Sequence, residues 1–120
     1  ALEYNGGTVS EYAGVSVSGA GDLDGDGFAD FLVGAPYKSD PSPFAGAAYI
    51  VLGSTFPAGA GLPSAIEFTG LNPLDEAGAT AAGVGDINAD GYSDILVGAP
   101  YNDDAGSYAG AAYLILGQGL

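Results

Sequence analysis

Gly14-Val-Ser-Val-Ser-Gly-Ala-Gly-Asp-Leu-Asp-Gly-Asp-Gly-Phe-Ala-Asp-Phe-Leu-Val-Gly-Ala-Pro36 decides how this chain is read. At its centre Asp22, Asp24, Asp26 and Asp30 hold positions 1, 3, 5 and 9 of a loop, with Gly27 at position 6. Carboxylates at this spacing converge hard oxygen ligands, and the natural occupant is Ca²⁺, which takes roughly 6–8 oxygens at about 2.4 Å. The Phe28 carbonyl at position 7 is a further candidate ligand. An EF-hand is excluded, because position 12, where its bidentate Glu belongs, is Val33.

The loop returns 64 residues later as Asp86, Asn88, Asp90 and Asp94, with the Tyr92 carbonyl at position 7 and Val97 at position 12. The same shift lays Leu2-Glu3-Tyr4 on Ile66-Glu67-Phe68 and Phe31-Leu-Val-Gly-Ala-Pro-Tyr37 on Ile95-Leu-Val-Gly-Ala-Pro-Tyr101. Ala45–Gly53 falls on Ala109–Gly117, and no insertion or deletion is needed anywhere. The chain therefore reads as one propeller segment, 1–120, made of repeat 1 (about 1–64) and repeat 2 (about 65–120). A fixed period of this size signals units that bury their faces by stacking on one another.

Each unit reads as four short strands. The first, about Ala13–Ala20 (Ala77–Val84), is built of small residues; the second is Asp30–Gly34 (Asp94–Gly98) and the third Ala47–Leu52 (Ala111–Leu116). The fourth is Ala1–Asn5 and its copy Ala65–Thr69. Strands two and three are continuous apolar runs, which predicts that both of their faces are covered. They are too short, and too tightly bounded by Gly and Pro, for helices. Four-stranded antiparallel sheets stacked face to face describe an all-β protein, a β-propeller with two blades in this chain.

The whole stretch 14–36, with its copy, resembles the FG-GAP repeat, the blade unit of integrin α-subunit propellers and of related bacterial and extracellular proteins. The resemblance covers nearly all of the chain. It implies a calcium ion in the loop between strands one and two of each blade, two per chain. Asp22, Asp24, Asp26 and Asp30 would hold one, and Asp86, Asn88, Asp90 and Asp94 the other. The Phe-Gly dipeptide is not present as such, Tyr4-Asn-Gly6 and Phe68-Thr-Gly70 standing nearest to it. The family's propellers typically carry seven blades.

Two blades, with a fourth strand at the N-terminus, predict a ring of identical chains in which residues 1–5 complete the neighbour's second blade. A homotrimer would supply six blades and a homotetramer eight. The competing reading is a piece of a longer seven-bladed propeller, natural or engineered.

Composition narrows the function. With a net charge of −14 and Lys38 as the single basic residue, nucleic acid and anionic membranes are poor partners. No apolar run is long enough for membrane insertion. Seven of the 15 acids lie in the two loops, so much of that charge has a local explanation. The chain has no His, Cys or Arg, which removes nucleophile–base pairs, thiolate metals and disulfides. The expectation is a non-enzymatic structural or adhesion scaffold, extracellular or at the cell surface, where millimolar calcium fills weak sites. The alternative is a lectin-like propeller that binds a glycan or protein ligand. Its candidate surface is the rim opposite the acidic loops, carrying Tyr12, Tyr37, Lys38, Asp40, Phe44, Tyr101, Asn102, Asp103, Asp104 and Tyr108. Tyr37 and Tyr101 either serve that surface or wedge between blades.

Overall fold

Small, β-branched and aromatic runs punctuated by Gly and Pro form strands throughout the computed structural model, which describes residues 3–40, 42–55 and 65–118. Among the described residues seven strands form: β1 (Ser16–Gly21), β2 (Asp30–Ala35), β3 (Ala47–Val51), β4 (Ile66–Thr69), β5 (Thr80–Gly85), β6 (Asp94–Ala99) and β7 (Ala111–Ile115). A short 3₁₀ turn at Gly53–Thr55 follows β3, and no α-helix occurs among the described residues. The strands make two antiparallel sheets, ordered β1-β2-β3-β4 and β5-β6-β7. The chain is all-β, as the turn signals and short apolar runs required.

The two sheets repeat each other's register. Leu32 pairs with Ile50 in the first and Leu96 with Leu114 in the second. Both inner hairpins slip at the same place, between Gly19 and Gly21 and between Gly83 and Gly85. Gly21 and Gly85 have φ of 73° and 75°, a conformation that glycine adopts without steric cost. This bulge swings the chain out of the strand and straight into the acidic loop.

The sheets stack face to face. Leu32 and Ile50 of the first sheet, with Ala20 and Leu23, close over Ile95 of the second. Beside them Ala48, Phe68 and Ala77 pack with Val97, Ala99 and Tyr113. Full burial of each Leu or Ile stabilises the stack by about 1.5–3 kcal/mol. The small residues of β1 and β5 have a steric cause, since a Cβ on Gly83 would stand 2.5 Å from the Gly19 carbonyl oxygen. Only glycine lets these two strands approach so closely.

Double-sided burial holds for the first sheet and not for the second. All five residues of β3 are buried, because Tyr4, Ala13 and Ala65 cover the face turned away from the second sheet. In β7 half-buried and exposed residues alternate, and Leu96 and Leu114 lie open. Nothing among the described residues covers that face.

The fourth strand also departs from expectation. Its second copy forms β4, paired with β3, but residues 3–5 form no strand, and Ala1 and Leu2 lie outside the described residues. Strand pairing needs a partner edge, and the only described edge equivalent to β3 is β7, in the other sheet. The first strand is shorter than read, since Ala13–Val15 and Ala77–Ala79 belong to the turns that lead into β1 and β5.

Candidate metal centre and the opposite rim

The acidic loops join β1 to β2 and β5 to β6 and lie side by side on one rim. The Ser93 N–H donates to the Asp22 carbonyl at 3.0 Å, tying the second loop to the first. Each loop is folded by its own carboxylates. Asp22 Oδ1 accepts the N–H groups of Gly25 (2.7 Å) and Asp26 (3.1 Å), and its Oδ2 accepts that of Gly27 (2.9 Å). Asp24 accepts from the Asp26 N–H, and Asp26 from the Phe28 N–H. In the second loop Asp86 accepts from Asp90 and Gly91, Asn88 from Asp90, and Asp90 from Tyr92.

Position 9 does something different. Asp30 is buried, with Oδ2 accepting the Leu23 N–H at 2.7 Å and Oδ1 the Gly53 N–H at 2.8 Å. Asp94 repeats this with Ile87 and Gly117, at 2.9 and 3.0 Å. One carboxylate thus clamps the loop to the connection that leaves the third strand.

Carboxylate oxygens of Asp22, Asp24 and Asp30 all lie within 4.8 Å of one another. Asp26 stands at the exposed end of the same loop. Desolvation, followed by the crowding of Asp26, Asp30 and Asp22, pushes the Asp24 carboxyl above its ordinary value against the pull of the Asp26 N–H. Asp26 is drawn below its ordinary value, first by the Phe28 N–H and then by the Ser54 hydroxyl. The Phe28 side chain is exposed and Tyr92 half-buried. In the second loop Asn88 replaces a carboxylate, and its Nδ2 donates to Asp90 at 2.9 Å, which relieves one repulsion that loop one retains.

The opposite rim carries aromatic pairs. Tyr12 and Phe44 meet the Tyr37 ring edge-on, at centroid distances of 5.3 and 5.9 Å, and Tyr101 meets Tyr108 likewise at 5.8 Å. Tyr37 and Tyr101 are exposed, so they belong to the rim surface and do not wedge between sheets. Leu74, Glu76, Tyr101, Asp103 and Tyr108 line a groove of about 280 Å³. Burial raises the Glu76 carboxyl above its ordinary value. Three repeat-related pairs here take positive φ: Ser10 with Leu74, Tyr12 with Glu76, and Phe44 with Tyr108. Such backbone costs on the order of 1–3 kcal/mol per residue and persists where its surroundings hold it.

Lys38 and Asn102 correct the rim reading. Both are buried and face inward, so neither is offered to a partner. Lys38 lies 3.9 Å from buried Glu11 and 3.5 Å from Glu67, while Glu11 also accepts from the Gly7 and Thr8 N–H groups and the Tyr49 hydroxyl. Sixty-four residues on, Asp75 takes the place of Glu11, accepting from Asn102 Nδ2 at 2.8 Å and from Asn72 at 3.1 Å. These buried acids escaped the sequence reading. The one available signal was that the 64-residue shift superposes Glu11 on Asp75 and Tyr49 on Tyr113.

Comparison with known proteins agrees with this geometry. The FG-GAP repeat profile matches residues 13–51 and 78–115. Integrin alpha-3 of Mus musculus is 40% identical over 95 residues, covering 78% of this chain and 9% of that protein. Integrin alpha-IIb of Homo sapiens is 36% identical over 115 residues (92% and 11%), and integrin alpha-5 of Xenopus laevis 33% over 120 (96% and 11%). The chain spans about a tenth of the length of these curated relatives. With one repeat matched to each sheet and its acidic loop, the chain belongs to the FG-GAP repeat family.

Proposed function

We propose that this chain is a calcium-stabilised pair of propeller blades, a non-enzymatic scaffold of the adhesion type that works outside the cell or at its surface. The convergence of Asp22, Asp24 and Asp30 carries the reading. An all-oxygen donor set of this charge suits a hard divalent cation, and calcium tolerates the irregular geometry of a short loop better than magnesium does. A carboxylate oxygen has two lone pairs, so one that accepts a single N–H still has one to give. Asp22, Asp24, Asp26, Asp30 and the Phe28 carbonyl would hold one ion. Asp86, Asn88, Asp90, Asp94 and the Tyr92 carbonyl would hold the second. Bound there, calcium supplies fixed positive charge that cancels the repulsion within each loop and locks the bulged hairpin to the neighbouring connection.

Isothermal titration should give two calcium ions per chain, and excess chelator should lower the melting temperature by several degrees. A melting curve indifferent to chelator would defeat the reading. No helix among the described residues is long and apolar enough to cross a membrane.

The rim groove supports a second reading, in which the scaffold presents Tyr101, Tyr108, Glu76 and Asp103 to a glycan or protein ligand. Aromatic faces beside hydrogen-bonding groups are common at recognition surfaces. Glycan-array binding abolished by Tyr108→Ala would favour it, and an array without signal would leave the scaffold alone.

A further inference from the structure

The two acidic loops touch each other. Asp22 opens the first loop, and its carbonyl accepts the Ser93 N–H of the second at 3.0 Å. Gly25, three residues on, lies against the Tyr92 ring: a Cβ there would stand 2.6 Å from a ring carbon. The connection after β7 adds a third contact, since a Cβ on Gly117 would stand 2.7 Å from the Leu23 carbonyl oxygen. Gly117 donates its N–H to Asp94 at 3.0 Å, and Leu23 donates its own to Asp30 at 2.7 Å. The position-9 carboxylates of the two loops are thus linked through the main chain of Gly117 and Leu23. Every one of these contacts runs between the two sheets of a single chain.

Where these contacts fall gives them a consequence. Ser93 stands between Tyr92 and Asp94, two of the residues proposed to hold the second ion. Holding those two still fixes the Ser93 N–H and the Tyr92 ring together. On the other side the contacts land on Asp22 and Gly25. Asp22 gathers the N–H groups of Gly25, Asp26 and Gly27, and so shapes the whole first loop. Where two segments share contacts, ordering one lowers the entropy cost of ordering the other.

We infer that the two loops bind calcium as a coupled pair, with Tyr92 and Ser93 as the positioning residues through which each loop raises the other's affinity. The inference rests on the calcium reading above and adds to it the relation between the two sites. Coupling of this kind is reciprocal, and its usual strength runs from about 5- to 150-fold in affinity. Charge opposes it only weakly. One Ca²⁺ of +2 leaves the first loop, with four carboxylates, at −2 and the second, with three, at −1. Neither filled loop turns positive, and the field between them is screened over about 8 Å at physiological salt. The pair therefore fills over a narrower range of calcium than two separate loops would.

Calorimetric titration of the full chain with calcium tests this as a cycle. Asp24→Ala with Asp26→Ala leaves only the second loop able to bind, and Asn88→Ala with Asp90→Ala only the first. Both pairs keep the carboxylates at positions 1 and 9 that fold each loop. The product of the two association constants of the unaltered chain should exceed the product of the two single-loop constants by about fivefold or more. Tyr92→Ala, introduced into all three chains, should lower that ratio by about fivefold, and Tyr92→Phe, which keeps the ring, should restore it. Charge acts equally with and without the ring, so a ratio that Tyr92→Ala leaves unmoved would overturn the inference. Should that substitution unfold the chain, hydrogen exchange decides. Calcium added to the Asp24→Ala, Asp26→Ala chain should slow exchange of the Gly25 and Gly27 N–H groups several-fold, and unchanged exchange would overturn the inference. Two ions bound with a ratio of one would defeat the coupling and leave the calcium reading standing. No calcium bound by any of the chains would defeat the calcium reading, and the coupling with it.

Discussion

Glu11 and Lys38 lie 3.9 Å apart with both side chains almost wholly buried, and 64 residues later the same two places hold a hydrogen-bonded Asp75 and Asn102. One repeat thus solves the burial of an acid with a charge and the other with an amide. Removing Lys38 strands a buried carboxylate whose remaining partners are two N–H groups and two hydroxyls. Lys38→Met should destabilise the chain by about 3 kcal/mol in urea unfolding. Glu11→Gln added to it should recover much of that loss, because no charge is then left buried.

Tyr49 reports on the same cluster from below. Burial first, and the Glu11 charge second, raise its hydroxyl well above the ordinary value of 10.0. Tyr49 therefore keeps its proton in the folded chain at a pH where an unfolded one would lose it. The stability this contributes is complete below about pH 10 and declines as pH rises from there through the higher folded value. Absorbance at 295 nm should show one tyrosine that ionises only together with alkaline unfolding. Tyr49→Phe should abolish that late step.

The two acidic loops differ at position 4, where Gly25 has φ of 78° and Ala89 has φ of 60°. An alanine there is held in the left-handed region, whose relief should stabilise the chain. Ala89→Gly is expected to gain about 0.5–1 kcal/mol, after the cost of glycine's extra freedom in the unfolded chain. Gly25→Ala should be harmful, because its Cβ would stand 2.6 Å from the Tyr92 ring in addition to the strained backbone. Thermal melts of the two variants in chelator should move in opposite directions.

Asp30 and Asp26 should separate structure from metal affinity. Asp30→Asn turns an amide against the N–H of Leu23 or Gly53, so it should cost about 1–3 kcal/mol even in chelator. Asp26→Asn, at an exposed position, should leave the melting temperature in chelator nearly unchanged while weakening calcium in titration. Equal behaviour of the two would show that position 9 is no anchor.

Much of the fold was legible because the chain states it twice. A 64-residue period without gaps let each strand be checked against its copy, and six of the seven strands lie where the small and apolar runs put them, within three residues. The fourth, β4, was read over Ala65–Thr69 as the copy of residues 1–5, and it forms over Ile66–Thr69. Its N-terminal counterpart, residues 1–5, was read as a strand that pairs only with another chain; residues 3–5 form no strand here and Ala1 and Leu2 lie outside the described residues. The loop carboxylates were legible from spacing. That Asp30 and Asp94 also clamp Gly53 and Gly117 was not, since those partners lie 23 residues away along the chain.

What the sequence by itself determined is the periodic part: two repeats of short strands, and in each an acidic loop with carboxylates or an amide at alternate positions. These follow from local backbone preference and from side-chain type, which neighbours in sequence fully specify. Tertiary structure alone decided which faces are buried and which acids are neutralised. It turned Lys38 inward against Glu11, and it left Leu114 open where Ile50, one repeat earlier, is sealed. Burial belongs to a residue's surroundings, and identical segments differ in it as soon as one has a neighbouring sheet and the other does not.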